Sequence, residues 1–168
     1  MSARKWPFIL FALGFAYLVK RYYSHADAES LRWILAPTAW LVGSIFGRSF
    51  SFEPGYGYLS RDLHFAIVPA CAGINFWVIA VGAFVSGVVP RLTTLALQVR
   101  WLVVGTFAAL GVTLLANMVR ISIAVWLHLH PLNVDHAQLH RIEGSLVYLV
   151  FLFVFYAASE ARAKKVAT

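Results

Sequence analysis

The chain of 168 residues is 61% hydrophobic and only 12% charged, with a mean hydropathy of +0.74. A soluble domain averages about 45–50% apolar and about 25% charged residues, so lipid must cover the surplus and a soluble globular domain is excluded. The formal net charge is +7 and the isoelectric point about 9.9, but the Lys and Arg residues sit between apolar segments, where they fix topology and meet anionic lipid; no nucleic-acid partner is expected.

In chain order, Arg4 and Lys5 precede an apolar run from Trp6 to Val19, closed by Lys20 and Arg21. A basic start, an apolar centre and the small-x-small site Ala26-Asp27-Ala28 are signal-peptide features. That site lies far beyond the run, however, and basic residues follow it directly, so a retained first membrane helix is expected. Leu31 to Phe46 is a second apolar segment, short for a span of about 20 residues, with Pro37 inside it. Residues 48–64 mix Phe50, Phe52, Tyr56 and Tyr58 with Pro54, Gly55 and Gly57, and read as a loop on the membrane surface or over a site. Ala66 to Val89 is a third segment and holds the only cysteine, Cys71. The fourth apolar stretch continues past Arg120 to Leu129. From Trp101 it would measure about 43 Å as a helix against a hydrocarbon core of about 30 Å, and so must tilt, bend near Asn117 or project. Residues 130–143 are polar, Gly144 to Ala158 is the last span, and Arg162, Lys164 and Lys165 form a basic tail.

This pattern predicts an all-α, polytopic membrane helix bundle of five to six transmembrane helices, in one domain over 1–168. The N-terminal helices fall within 1–47 and the basic tail within 160–168. With the C-terminal tail inside, the segments 20–32 and 91–100 are also cytoplasmic, giving eight Lys/Arg on that side against six opposite, a weak positive-inside bias. Five alternating spans place Cys71, at the start of one, Arg120, at the end of the next, and His140, before the last, at one membrane face.

A single cysteine excludes an internal disulfide and a Cys-x-x-Cys redox pair. By itself it is more often a small buried hydrophobe than a nucleophile. A cation or a helix N-terminus nearby favours the reactive thiolate, and the third helix is expected to begin near Pro69. Asn75, one turn on, would share the face of Cys71 and orient a carbonyl. Arg120 lies in apolar surroundings, where an arginine costs about 2.5–3.5 kcal/mol on insertion scales and marks a functional candidate, snorkelling to a lipid phosphate being the plainer reading. Asn117 is one turn before it on the same helix face. The role suited to Arg120 is to stabilise an oxyanion or bind a substrate carbonyl, and His140 suits general acid and base. Gly144, one turn later, allows close approach. A competing constellation is His128, His130, Asp135, His136 and His140. His136 and His140, four apart, suit a zinc ion and a membrane metalloenzyme, although no His-Glu-x-x-His motif is present. A third reading is a non-enzymatic membrane subunit or transporter with Arg120 and His140 lining a polar path.

Three stretches, Pro69-Ala70-Cys71-Ala72-Gly73, Asn117-Met118-Val119-Arg120 and His140-Arg141-Ile142-Glu143-Gly144, occur in this order within 62–156. Together they resemble the exosortase/archaeosortase family of membrane-embedded cysteine transpeptidases, and the short length resembles the compact branch called exosortase K. Ala72 stands where many relatives have Ser. The resemblance implies Cys71 as nucleophile, Arg120 as oxyanion or substrate-carbonyl residue and His140 as acid/base, with no cofactor and no metal. It implies cleavage of the C-terminal sorting signal of exported proteins through a thioester, resolved by an amine acceptor or water. It further implies a multi-pass protein of the plasma (inner) membrane, surrounded by membrane lipid, with its site on the extracytoplasmic face.

Overall fold

A computed structural model describes the backbone of residues 6–130 and 136–167 and the side chains of 6–130 and 142–166. Five helices carry the fold: α1 (Trp6–Tyr23), α2 (Arg32–Phe46), α3 (Ile74–Gly87), α4 (Leu95–Leu129) and α5 (His136–Ala167). Between α2 and α3 lies a three-stranded antiparallel sheet, β1 (Ser51–Glu53), β2 (Gly57–Ser60) and β3 (Phe65–Ile67), in the order β1-β2-β3. The chain falls into two compact units, one of residues 1–24, 74–113 and 150–168, the other of residues 25–73 and 114–149.

Among the described residues, three helical stretches are long and apolar enough to cross a membrane: Pro69–Arg91, Leu95–Leu129 and Ile142–Val166. Of the five to six spans expected from the sequence, three meet this test of length and composition. Lys20 and Arg21 in the last turn of α1 lower its hydropathy, and α2 has only 15 residues, about 22 Å against a core of about 30 Å. No break interrupts α4 at Asn117; its 35 residues form one helix of about 52 Å, so the excess length is taken up by tilt or projection. The segment around Pro69 also differs from expectation. Its start is strand and a 3-10 turn (Pro69–Cys71), and α3 begins only at Ile74. Gly73, at φ +71°, explains the interruption, since that conformation ends a helical path and suits only a residue without Cβ.

In the first unit, α3 runs antiparallel to α4 and parallel to α5. Trp77 Nε1 donates to Thr106 O at 3.3 Å. Phe84 meets the rings of Trp101 and Phe155 at 6.4 and 5.8 Å. Arg91 pairs with Glu160. Helix α1 lies antiparallel along α3: Phe15 sets its edge against Trp77 at 5.2 Å, and Lys20 Nζ donates to Asn75 Oδ1 at 2.9 Å. That bond corrects the expected alternation, which put Lys20 on the face opposite the start of the third span. The basic end of α1 and the first turn of α3 are at one level.

In the second unit, the aromatic segment read as a loop pairs as strands, with Phe52 opposite Tyr58 and Tyr58 opposite Ile67. Arg32, at the start of α2, stacks its guanidinium 4.7 Å over the Phe52 ring. The Glu29 carboxylate accepts the Gly55 N–H at 2.7 Å, tying the tip of the first hairpin to the loop before α2. In that loop Asp27 caps Ser30 N–H at 2.8 Å, and hydrogen bonding from Ser30 holds its carboxyl below the usual range. Phe65 meets the His128 ring edge-on at 6.2 Å, so β3 is held to the end of α4. Ile67 is fully buried and leads directly into the turn that carries Cys71.

The pairing of α1 with α3 makes a topological prediction. In a Cys71→Ala background, Ser24→Cys and Thr93→Cys are labelled by a membrane-impermeant maleimide from opposite sides of the membrane. Five alternating crossings would place both on one side, and labelling from one side would contradict the pairing.

Candidate active site

The second unit gathers the sequence motifs into one hydrogen-bonded chain. Cys71 is half-buried and unbonded as a thiol partner, a free cysteine at the end of its 3-10 turn. Its N–H donates to Val68 O at 2.7 Å, and its carbonyl accepts from Asn117 Nδ2 at 2.5 Å. Asn117 is wholly buried in α4, where an unpartnered amide would cost about 1–3 kcal/mol. Both ends of that amide are satisfied: Nδ2 by Cys71, and Oδ1 by the Tyr148 hydroxyl at 3.1 Å. Arg120, one turn beyond Asn117, directs Nη1 to the Tyr148 Oη at 3.4 Å and holds its Cζ 5.6 Å from the ring centroid. The path therefore runs from the guanidinium through a phenol and an amide to the backbone of the cysteine.

Gly144 explains how Arg120 fits against α5. A Cβ at that position would lie 2.8 Å from Arg120 Nε, so the Arg120 side chain keeps this place only against a glycine. Beside it, both carboxylate oxygens of Glu143 are shielded from solvent, and its charge interacts with Arg120. Arg120 thus lies between Tyr148 and Gly144, partners that hold the cation within a largely apolar chain.

Of the residues singled out from sequence, Cys71, Asn117, Arg120 and Gly144 converge. Asn75 belongs to the other unit, where its Oδ1 is engaged by Lys20. His140 lies in α5, and the register of that helix puts positions 140, 144 and 148 on one face at four-residue spacing; its side chain, like those of Asp135, His136 and Arg141, falls outside the described residues. Tyr148 is not singled out by the sequence reading. Tyr148 hides within an apolar span, and the available signal was its position, four residues after Gly144.

Two histidines of the competing metal constellation have other contacts. His128 meets Phe65, while His130 stacks on Trp126 at 4.9 Å and places Nδ1 3.0 Å from Trp126 O. Among the described residues no group of three His, Cys, Asp or Glu side chains is placed to hold a metal ion.

Two substitutions test this construction. Tyr148→Phe keeps the ring and leaves Asn117 Oδ1 unpaired. It should destabilise the fold by about 1–3 kcal/mol, read as a lowered midpoint in denaturant unfolding of the detergent-solubilised protein. Gly144→Ala should displace the Arg120 guanidinium from Tyr148, read as a lowered midpoint in the same unfolding measurement with little loss of membrane accumulation.

The sequence comparison bears on what this arrangement is for. The model of the family described as transmembrane exosortase matches residues 1–157. Neither a curated protein nor a solved structure matches the chain. The match takes in all three motif stretches, all of the second unit and most of the first, and the chain belongs to the transmembrane exosortase family.

Proposed function

We propose that the protein is a membrane-embedded cysteine transpeptidase that cleaves the C-terminal sorting signal of exported proteins. The observation that carries this reading is the Asn117 clamp on the Cys71 carbonyl, continued through Tyr148 to Arg120. A merely structural thiol has no need of a buried polar chain linking its backbone to an arginine.

In the mechanism, Cys71 Sγ attacks the scissile carbonyl carbon as His140 takes the thiol proton. The carbonyl oxygen becomes an oxyanion and accepts hydrogen bonds from the Arg120 guanidinium. Collapse breaks the C–N bond, His140 returns the proton to the leaving amine, and a thioester to Cys71 remains. An incoming amine or water then attacks the thioester and regenerates the thiol. Asn117 holds the cysteine turn and Tyr148 and Gly144 seat the guanidinium, so nucleophile and oxyanion donor are fixed before substrate arrives, as electrostatic catalysis requires.

We place the protein in the plasma membrane with this site on the extracytoplasmic face. Helix α1 is read as a fourth crossing beside the three long apolar helices, since it runs antiparallel along α3. Both termini then lie on the cytoplasmic side with the basic tail.

Cys71→Ala, Arg120→Ala and His140→Ala should each abolish processing of exported substrates while the protein still accumulates in the membrane. Arg120→Gln, which loses the charge, should reduce the turnover rate by about 10²–10³-fold, the usual effect of removing one oxyanion donor. Measuring precursor-to-mature conversion in cells expressing each variant decides the matter. Normal conversion by Cys71→Ala would sink the proposal.

A further inference from the structure

The first unit holds a cavity of about 340 Å³ between the beginning of α4 and the end of α5, within the range of about 300–1,000 Å³ typical of ligand pockets. Its walls are apolar: Phe84, Trp101, Val104 and Phe155 line it. At the same end, Arg100 and Arg162 also line it. Arg100 is in the second turn of α4 and Arg162 in the last turns of α5, so both arginines lie near the helix ends, where a long cationic side chain reaches the membrane interface.

The charges around this cavity are unbalanced. Glu160, two positions before Arg162, already pairs with Arg91 and with Lys164, the latter at 3.3 Å. Among the described residues, no ion pair is formed by Arg100 or Arg162. Two exposed guanidiniums therefore stand over an apolar groove. A guanidinium is suited to bidentate contact with phosphate oxygens, and the groove below them is lined by apolar side chains. The complementary molecule has a negative head and a long apolar tail.

We propose that this cavity binds an anionic glycerophospholipid of the surrounding bilayer, its phosphodiester between Arg100 and Arg162 and one acyl chain in the groove. Trp101 forms the wall near the headgroup, at the depth where indole rings favour the interface. The site is independent of the proposed chemistry at Cys71, because it lies wholly within the other unit.

The test uses the full chain in nanodiscs of equal phosphatidylglycerol and phosphatidylcholine, released into native mass spectrometry to read which lipid stays bound. The wild type should retain phosphatidylglycerol selectively. A basic residue in contact with the anionic headgroup is worth about a five-fold change in affinity, so Arg100→Gln with Arg162→Gln should reduce selective retention by about 25-fold. Ala108→Trp fills the groove, whose wall includes Ala108, and keeps both arginines. It should also release the lipid, which separates a seated phospholipid from a bare headgroup contact. Lys164→Gln with Lys165→Gln removes the same charge from the same helix end and should leave retention unchanged. Equal retention of both lipids by the wild type would overturn the proposal. So would an equal loss in the lysine variant, competition by inorganic phosphate alone, or a lipid-free dimer filling the groove with a second copy.

Discussion

The bond between the Asn117 amide and the Cys71 carbonyl is the constraint on which the site depends. A wholly buried amide in an apolar helix is costly unless both its donor and its acceptor are matched. Cys71 and Tyr148 match them, and in doing so they fix two otherwise independent things. The turn between β3 and Gly73 is held at one depth on α4, and the phenol on α5 is held where Arg120 can reach it. The remaining features serve these bonds. The sheet delivers Ile67 and Val68 at the right place, Gly73 separates the cysteine turn from α3, and Gly144 makes room for the guanidinium.

Arg120 shows how a cation is kept within a largely apolar chain. A lone arginine there would be pulled towards the interface. Here its charge interacts with shielded Glu143, its edge meets the Tyr148 hydroxyl and its stem rests on Gly144. Because these partners sit on one helix within five residues of each other, a single element presets the orientation of the group. Preorganisation of this kind matters for an oxyanion donor, which stabilises developing charge only if it need not move to meet it.

Much of this was legible in the sequence, for physical reasons. Long apolar runs forced α3, α4 and α5 into membrane-length helices, and their alternation put Cys71, Arg120 and position 140 at one membrane face, with Asn117 one turn before Arg120. The sheet was not legible, because strands of three or four residues rich in aromatics look like an interfacial loop when Gly and Pro intervene. Tyr148 was hard to single out, since position alone marked it and its hydroxyl has meaning only beside Asn117. Asn75 was placed by helical periodicity alone, and no periodicity within one segment could reveal that Lys20 of α1 would claim it. The same bond bears on the alternation of spans, which assumes that each apolar segment crosses; α2 has only 15 residues.

The most direct measurement is the covalent state of Cys71 during processing. Membranes from cells exporting the natural substrates are quenched in acid, digested and analysed by mass spectrometry with and without hydroxylamine, which cleaves thioesters. The account predicts a peptidyl adduct on the Cys71 peptide that hydroxylamine releases, and that disappears with Cys71→Ala or Arg120→Ala. Continued processing with Cys71 never acylated would contradict it and return the thiol to the role of a packed side chain.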